Sequence, residues 1–369
     1  MDFVSFIIGL GIAQGVFLAA VLLTSIRGNT RANRILGLLI LLFTVDMACV
    51  LLDYQQWYAK MPHLLMINHP QQFLYGPILL WYVMRLTRPE SPFKPKYYLN
   101  LLPFVLTILY FASTFYFKSA TFKIEYYEMW HQTVRFADFF WSLAHVAFNL
   151  CYFIVSIGLL RQHKFNIRQN YSYQEKITLS WLHHLLLMLM AVFIMNTIFD
   201  VLYLMQKPVP AAGPIMAVLM AVVIYAIGYM GWRQPAIFQD NEGKTHQPKY
   251  AKSALTTRQS RHIYEHLSQL MTTEKPYLNS GLTIKNLADR LNIPAYRLSQ
   301  VINEQAGQNF FDFVNQFRIR EVQNRLRDSY YDAYSILSIA YDSGFNSKSS
   351  FNTAFRKQVG TTPSRFRQQ

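Results

Sequence analysis

The apolar positions divide the chain near residue 233. From Phe3 to Trp232, long apolar blocks alternate with short polar breaks. Blocks of that length match a hydrocarbon core about 30 Å thick and read as membrane helices. Seven are expected, over 3–25, 35–52, 64–86, 99–117, 139–160, 181–205 and 214–232. The third is the weakest, because it holds His69, Pro70 and Pro77. Proline is accepted in a membrane helix where neighbours satisfy the freed carbonyls. A re-entrant segment at that point leaves six crossings instead.

The basic residues test the count. Arg27, Arg31 and Arg34, then Arg85, Arg88, Lys94 and Lys96, then Arg161, Lys164, Arg168 and Lys176 fall in alternate loops, eleven on one side. The other side carries five: Lys60, Lys118, Lys123, Arg135 and Lys207. An excess of Lys and Arg marks the cytoplasmic side. The N-terminus is therefore expected outside and the C-terminus in the cytoplasm, as an odd number of crossings requires. Met1-Asp2 lacks the basic start of a signal peptide and no small-residue cleavage site stands out, so the first helix is expected to be retained.

Residues 233–254, with Pro235, Gly243 and Pro248, read as a polar cytoplasmic tether. From residue 255 the pattern is that of amphipathic helices, with 15 Lys+Arg against 9 Asp+Glu. About 115 residues suffice for one small core. Ile284, Leu287, Ala288 and Leu291 recur at i, i+3, i+4 and i+7, one helical face, with Thr283 as N-cap. Asn292-Ile293-Pro294 breaks that helix, and Pro294 suits the start of the next. The helix over about 295–304 buries Leu298, Val301 and Ile302 and turns Tyr296, Arg297, Ser299, Gln300 and Asn303 outward.

The device returns further on. Ile336, Ile339 and Ala340 point inward, and Gly344 supplies the positive φ of a tight turn. Ser347 caps a helix of about 348–358 that buries Phe351 and Phe355 and leaves Lys348, Ser349, Asn352, Thr353 and Arg356 outward. Two short helices on a tight turn fit a helix-turn-helix unit, whose second helix enters the major groove of DNA. Between the pairs, Phe310 to Arg327 predicts a linker helix of roughly 19 residues, spanning roughly 28 Å. Successive major-groove faces lie about 34 Å apart. One chain thus carries two different reading helices, and its site need not be a palindrome. The expected fold class is all-α: a seven-helix transmembrane bundle over 1–232, then a cytoplasmic helical domain over 255–369 with two helix-turn-helix units joined by a linker helix.

Residues 256–369 resemble the DNA-binding domain of the AraC/XylS family of bacterial transcription regulators. The resemblance rests on Leu287-Ala288-x-x-Leu291, Tyr296-x-Leu298-Ser299, Gly307-x-x-Phe310 to Arg318, and Ile339-Ala340-x-x-x-Gly344-Phe345. It continues through Phe351-x-x-x-Phe355-Arg356-Lys357 and Gly360-Thr361-Thr362-Pro363-Ser364-x-Phe366-Arg367. The layout with a seven-helix membrane half is similar to membrane-bound regulators of that type. It departs from the commoner layout with a sugar-binding cupin domain, so no family ligand carries over. The resemblance implies base-edge contacts by Tyr296, Ser299 and Gln300, and by Lys348, Ser349, Asn352 and Thr353. Gln and Asn suit adenine and Lys suits guanine. It implies phosphate contacts for Arg356, Lys357 and Arg367, location in a bacterial inner membrane, double-stranded promoter DNA as partner and contact with RNA polymerase. The small polar residues at these positions leave room for readout of DNA shape.

Composition narrows the classes. Charged residues are 15%, against about 25% in soluble domains, so the whole chain is not an ordinary soluble protein. Aromatics at 16% exclude a disordered chain. Two Cys, at 49 and 151, exclude a disulfide scaffold and a Cys-based zinc domain. Glu242-Gly243-Lys244-Thr245 is no phosphate loop, since the first glycine that such a loop needs is Phe238. His183-His184 sits at a membrane edge and reads as interfacial packing. No metal, cofactor or catalytic constellation is expected, and the chain is read as a non-enzyme. The competing reading is a seven-helix receptor or transporter whose basic tail binds a protein.

Asp46 and Asp200 at membrane depth are costly and tend to face the bundle interior. With His145, Asn149 and Asn196 they form a candidate polar pocket for an unidentified small-molecule or membrane signal. The alternative is interhelical hydrogen bonding. Gly11-x-x-x-Gly15 suits either a homodimer contact or packing within the bundle.

Overall fold

The computed structural model describes residues 2–26, 29–88, 94–132, 136–172, 179–207, 209–233 and 256–368. Apart from Arg233, the expected tether lies outside the described residues. Among the described residues the regular structure is helical, with one isolated antiparallel bridge between Tyr171 and Thr283. The chain forms two compact units. The first comprises Met1–Arg161 and Leu179–Glu242, the second Gln162–Thr178 and Gly243–Gln369. The 162–178 segment therefore groups with the C-terminal residues and not with the apolar blocks that flank it.

The first unit holds α1 (Phe3–Thr24), α2 (Thr30–Tyr54), α3 (Tyr75–Thr87), α4 (Leu102–Phe111), α5 (Ala120–Gln132), most of α6 (Phe136–Asn170), α7 (Ser180–Leu204) and α8 (Ala212–Arg233). Asp2 caps α1 by accepting from Ser5 N at 2.8 Å, and Asn29 caps α2 by accepting from Ala32 N at 3.1 Å. Gly11, Gly15 and Ala19 form the buried side of α1. A Cβ at Gly11 would lie 2.5 Å from Met47 Cε on α2 and 2.8 Å from Ala221 Cβ on α8. One at Gly15 would overlap the Thr44 hydroxyl. This small-residue face is thus occupied by the bundle's own helices.

Among the described residues, six helical stretches are long and apolar enough to cross a membrane: Phe3–Thr24, Thr30–Tyr54, Pro95–Tyr116, Phe139–Asn170, Ser180–Leu204 and Ala212–Met230. The expectation of a continuous helix over 64–86 is corrected. The chain there runs through 3-10 turns at Pro62–Leu64 and Pro70–Phe73 before α3 begins. Its 13 residues rise about 20 Å, short of a hydrocarbon core of about 30 Å. Proline explains the break. Pro62 and Pro70 open their turns, and Pro77 falls in the first turn of α3, where a missing N–H costs nothing. The freed backbone finds side-chain partners. Asn149 Oδ1 accepts from Gly76 N at 2.6 Å, and its Nδ2 donates to Gln72 O at 2.8 Å. Gln71 Nε2 in turn joins the segment to α2, donating to Leu42 O at 3.2 Å. α6 also departs from expectation, continuing beyond 160 to Asn170.

The second unit holds α9 (Thr257–Thr273), α10 (Ile284–Arg290), α11 (Ala295–Ala306), α12 (Phe310–Arg327), α13 (Ile336–Asp342), α14 (Lys348–Val359) and α15 (Pro363–Arg367). It has two apolar clusters. Leu267, Met271, Leu287, Leu298, Ile302 and Phe313 belong to the first, and Ile319, Val322, Ile339, Phe351 and Phe355 to the second. α12 contributes Phe310, Phe313 and Val314 to one and Ile319, Val322 and Leu326 to the other.

The contacts of α1 predict a contrast between two glycines. Gly15→Ala drives its methyl into Thr44, whereas a Cβ at Gly158 meets nothing within 4 Å. In detergent-solubilised protein, Gly15→Ala is expected to cost about 1–3 kcal/mol and lower the unfolding temperature. Gly158→Ala is expected to leave it unchanged or raise it.

Candidate nucleic-acid interface

Local capping sets the two helix pairs of the second unit. Thr283 Oγ1 accepts from Asn286 N at 3.2 Å, and Asn286 Oδ1 accepts from Thr283 N at 3.0 Å, a reciprocal cap on α10. The turn to α11 passes through Asn292 at φ 54°, a left-handed conformation that Asn tolerates. In the second pair, Ser335 caps α13 by accepting from Ser338 N at 3.0 Å, and Ser347 caps α14 by accepting from Ser350 N at 3.1 Å. Gly344 between them has φ 94°. A Cβ there would overlap the Tyr277 carbonyl and lie 2.9 Å from Arg318 Nε.

α14 presents the side chains expected of it. Lys348, Ser349, Asn352, Thr353, Arg356 and Lys357 are exposed, while Phe351, Ala354 and Phe355 are buried. All of these exposed residues but Ser349 border an open groove of about 780 Å³, closed by Ile336, Leu337, Thr362, Pro363 and Ser364. Lys357 Nζ donates to Asp312 Oδ1 at 2.9 Å in an exposed ion pair, which is worth little in water. Arg367 is placed differently from the phosphate contact expected of it. Its guanidinium donates to the carbonyls of Tyr334 at 2.7 Å, Tyr331 at 3.0 Å and Asp332 at 2.6 Å, so it ties α15 to the turn before α13.

α11 is less open than its periodicity suggests. Arg297 is exposed, and Tyr296, Gln300 and Asn303 are half-buried. Ser299, expected to face outward, is only 8% exposed. The cover is Gln169 at the end of α6, whose Oε1 accepts from Ser299 Oγ at 3.3 Å and from Asn303 Nδ2 at 3.1 Å. A hydrophobic pattern reports one helix's own face and carries no information on a distant segment laid over it.

Arg318 on α12 was assigned no role by periodicity and proves central. It is 1% exposed. Nε donates to Tyr277 O at 2.8 Å, Nη2 to Asn279 O at 2.9 Å and to Ser172 Oγ at 3.0 Å, and Nη1 to Ser172 O at 2.9 Å and Asn315 Oδ1 at 3.4 Å. Burial pulls its guanidinium down to about 9, so it stays charged at neutral pH. Nearby, Glu321 accepts from Lys275 at 3.0 Å, Tyr277 at 3.1 Å and Arg325 at 3.0 Å. Burial raises its carboxyl, but the hydrogen bonds from Lys275 and Arg325 outweigh that and hold it below the usual glutamate range.

The polar residues of the first unit fall into linked groups. Asp46 accepts from Asn68 and Gln71, each at 2.9 Å, and from the Tyr75 hydroxyl. Asn68, Gln71 and Tyr75 were missed as a set, though they recur at i, i+3 and i+7 in an apolar block. Asn149 is fully buried between Gly76, Gln72 and the His145 carbonyl. The Tyr75 and His145 rings both meet the Phe193 ring edge-on, at 6.2 and 6.4 Å. Asp200 and Asn196 form a separate group with Ser142. Asn196 Nδ2 donates to Asp200 Oδ2 at 2.8 Å, and the Ser142 hydroxyl donates to the same carboxylate.

Comparison with known proteins gives the class. Residues 287–369 match a family described as "Helix-turn-helix domain". Over 90 residues the chain is 29% identical to the probable transcription factor PqrA of Proteus vulgaris, covering 24% of this chain and 71% of that one. It is 30% identical over 83 residues to the HTH-type transcriptional activator RhaS of Mannheimia succiniciproducens, covering 22% of this chain and 30% of the relative. It is 29% identical over 108 residues to the melibiose operon regulatory protein of Escherichia coli, covering 29% and 35%. The chain thus spans about a third of the length of the last two. These matches support a DNA-binding helix-turn-helix region at the C-terminal end of the chain, of the kind found in transcription regulators.

Two outcomes follow from the buried charges. Arg318→Met removes donors from three backbone carbonyls and is expected to destabilise the second unit by about 3 kcal/mol, read as faster hydrogen exchange in α10 and α12. Glu321 contributes stability that is complete above its unfolded value of about 4.3. That contribution is lost as pH falls through the lower folded value. Glu321→Gln is expected to flatten the loss of stability between about pH 5 and pH 3.

Proposed function

We propose that the chain is a membrane-anchored transcription regulator that reads promoter DNA through two helix-turn-helix units, α10–α11 and α13–α14. The observation that carries the reading is α14. Its exposed side holds Lys348, Ser349, Asn352, Thr353 and Arg356 in a row, within the region that matches a helix-turn-helix family. Amide and ammonium groups on one side of a short helix suit base edges in a major groove, and Arg356 with Lys357 suits phosphates. Tyr296, Arg297, Gln300 and Asn303 supply the equivalent positions on α11. Readout by two unlike helices calls for an asymmetric site. A homodimer would double that site, and activation would proceed by contact with RNA polymerase.

The apolar first unit supports anchoring in a bacterial inner membrane, with the C-terminal domain in the cytoplasm where DNA is. Seven crossings, with the Pro70–Thr87 segment as the third, agree with the excess of basic residues on the cytoplasmic side. The signal acts on the bundle, and Asp46, His145 and Asn149 are the side chains proposed to register it. Asp200 and Asn196 on α7 form a second polar group with Ser142 on α6. A signal shifts the regulator only if it binds one state of the bundle better than another.

The full chain, held in lipid nanodiscs, is expected to enrich an asymmetric site of about 15–20 bp from a random duplex pool, with affinity falling steeply as salt rises. Salt-insensitive binding, or none, favours a protein partner for the basic tail. Arg356→Ala is expected to weaken all sites alike and reduce the salt slope by about 1. Asn352→Ala is expected to relax preference at one base pair, worth about 1–3 kcal/mol. In a reporter strain, Asp46→Asn and Asp200→Asn are each expected to alter the response at unchanged expression. Unchanged responses from both would remove the polar groups from the sensing role.

A further inference from the structure

The end of α6 does more than terminate a helix. Gln169 takes on one amide oxygen the donor groups of Ser299, which the DNA-reading assignment places at a base edge, and of Asn303, on the same reading face. Two residues on, Tyr171 pairs with Thr283, the cap of α10. Ser172 is 1% exposed. Its N–H and hydroxyl both donate to the Leu282 carbonyl, at 3.2 and 2.6 Å. Arg318 holds the same residue through Ser172 O and Oγ. Gln169 to Ser172 is therefore seated at both ends, on the reading face of α11 and on the buried arginine beneath α10.

We propose that this segment is an internal competitor for DNA, and that α11 reads its site only after Gln169–Ser172 withdraws. The proposal rests on the DNA-reading assignment. Chemistry favours competition. The Ser299 hydroxyl, engaged by Gln169, cannot also donate to a base and has almost no surface left to offer, and Asn303 Nδ2 spends its two N–H groups on Gln169 and on the Ser299 carbonyl. The second state is also sound. Once Ser172 leaves, Arg318 keeps the carbonyls of Tyr277 and Asn279 and the Asn315 side chain, so no charge is stranded. The Leu282 carbonyl and the Thr283 backbone return to water. α14 is not touched by Gln169–Ser172 in any of these bonds, so competition acts on one reading helix and leaves the other free for a first, weaker encounter. Gln169 also shares one continuous helix with His145 and Asn149, residues proposed to register the signal.

The test uses the full chain in nanodiscs, the duplex selected from the random pool and a scrambled duplex. Gln169→Ala removes the acceptor and is expected to tighten binding to the selected duplex about tenfold, as when a tenth of the parent population is competent. Ser172→Ala is expected to tighten it in the same direction. Binding to the scrambled duplex is expected to change little. Hydrogen exchange of the parent at residues 169–172 is expected to speed up when the selected duplex saturates it. Unchanged affinity in both variants, with exchange that does not respond to DNA, would overturn the competition while leaving the DNA-reading assignment intact. Weaker binding by Gln169→Ala would also overturn it and make the segment part of the DNA interface. Failure of the parent and both variants to bind any duplex would overturn the assignment itself and the competition with it.

Discussion

A guanidinium with 1% of its surface exposed must have its N–H groups paired, because an unpaired buried cation costs several kcal/mol. Arg318 meets that constraint by drawing backbone to itself. The carbonyls of Tyr277 and Asn279, which follow α9, converge on it. Gly344, the turn residue of the second helix pair, is forced against the same place, where any Cβ would meet the Tyr277 carbonyl and Arg318 Nε. One side chain on α12 thus fixes the approach to α10 and the turn between α13 and α14. Glu321, one turn further along α12, repeats the arrangement with the opposite charge through Lys275, Tyr277 and Arg325.

α12 is the shared scaffold for this reason and for its apolar face. Its first half fills the cluster under α10 and α11, and its second half fills the cluster under α13 and α14. The two pairs are consequently not independent beads on a string. α12 has 18 residues and runs about 27 Å, and Lys357 near the end of α14 returns to Asp312 in its first turn, so the second pair packs along the helix.

How much of this was legible in the sequence depends on the range of the interaction involved. Caps and turns are local, so Thr283, Ser335, Ser347 and the positive φ of Gly344 agree with the pattern. Apolar periodicity identifies the inward faces of α10, α11, α13 and α14 for the same reason. Two features depend on contacts far apart in sequence and were not legible, and a third was missed for a local reason. Ser299 is covered by Gln169, 130 residues earlier. Arg367 looks like a phosphate contact from its basic C-terminal setting, yet it holds three carbonyls of the 331–334 turn. The end of α6 was misjudged because Arg161, Lys164 and Arg168 end the apolar run, while nothing there ends the helix. Hydropathy marks where a bilayer stops, and capping residues mark where a helix stops.

The third apolar block shows how such distant contacts bear on topology. The proposed orientation needs an odd number of crossings, and six stretches satisfy length and apolarity. α3 alone is too short, but the 3-10 turn at Pro70–Phe73 precedes it with one residue, Leu74, between. Because a 3-10 helix rises about 2 Å per residue against about 1.5 Å for an α-helix, Pro70 to Thr87 reaches roughly 28 Å. That is close to the thickness of the hydrocarbon core. Irregular backbone is tolerated at that depth only when protein groups satisfy it. Asn149 on α6 supplies those partners, at Gly76 N and Gln72 O. Asn149, which sequence alone offers as a pocket residue, has both amide atoms engaged with that backbone.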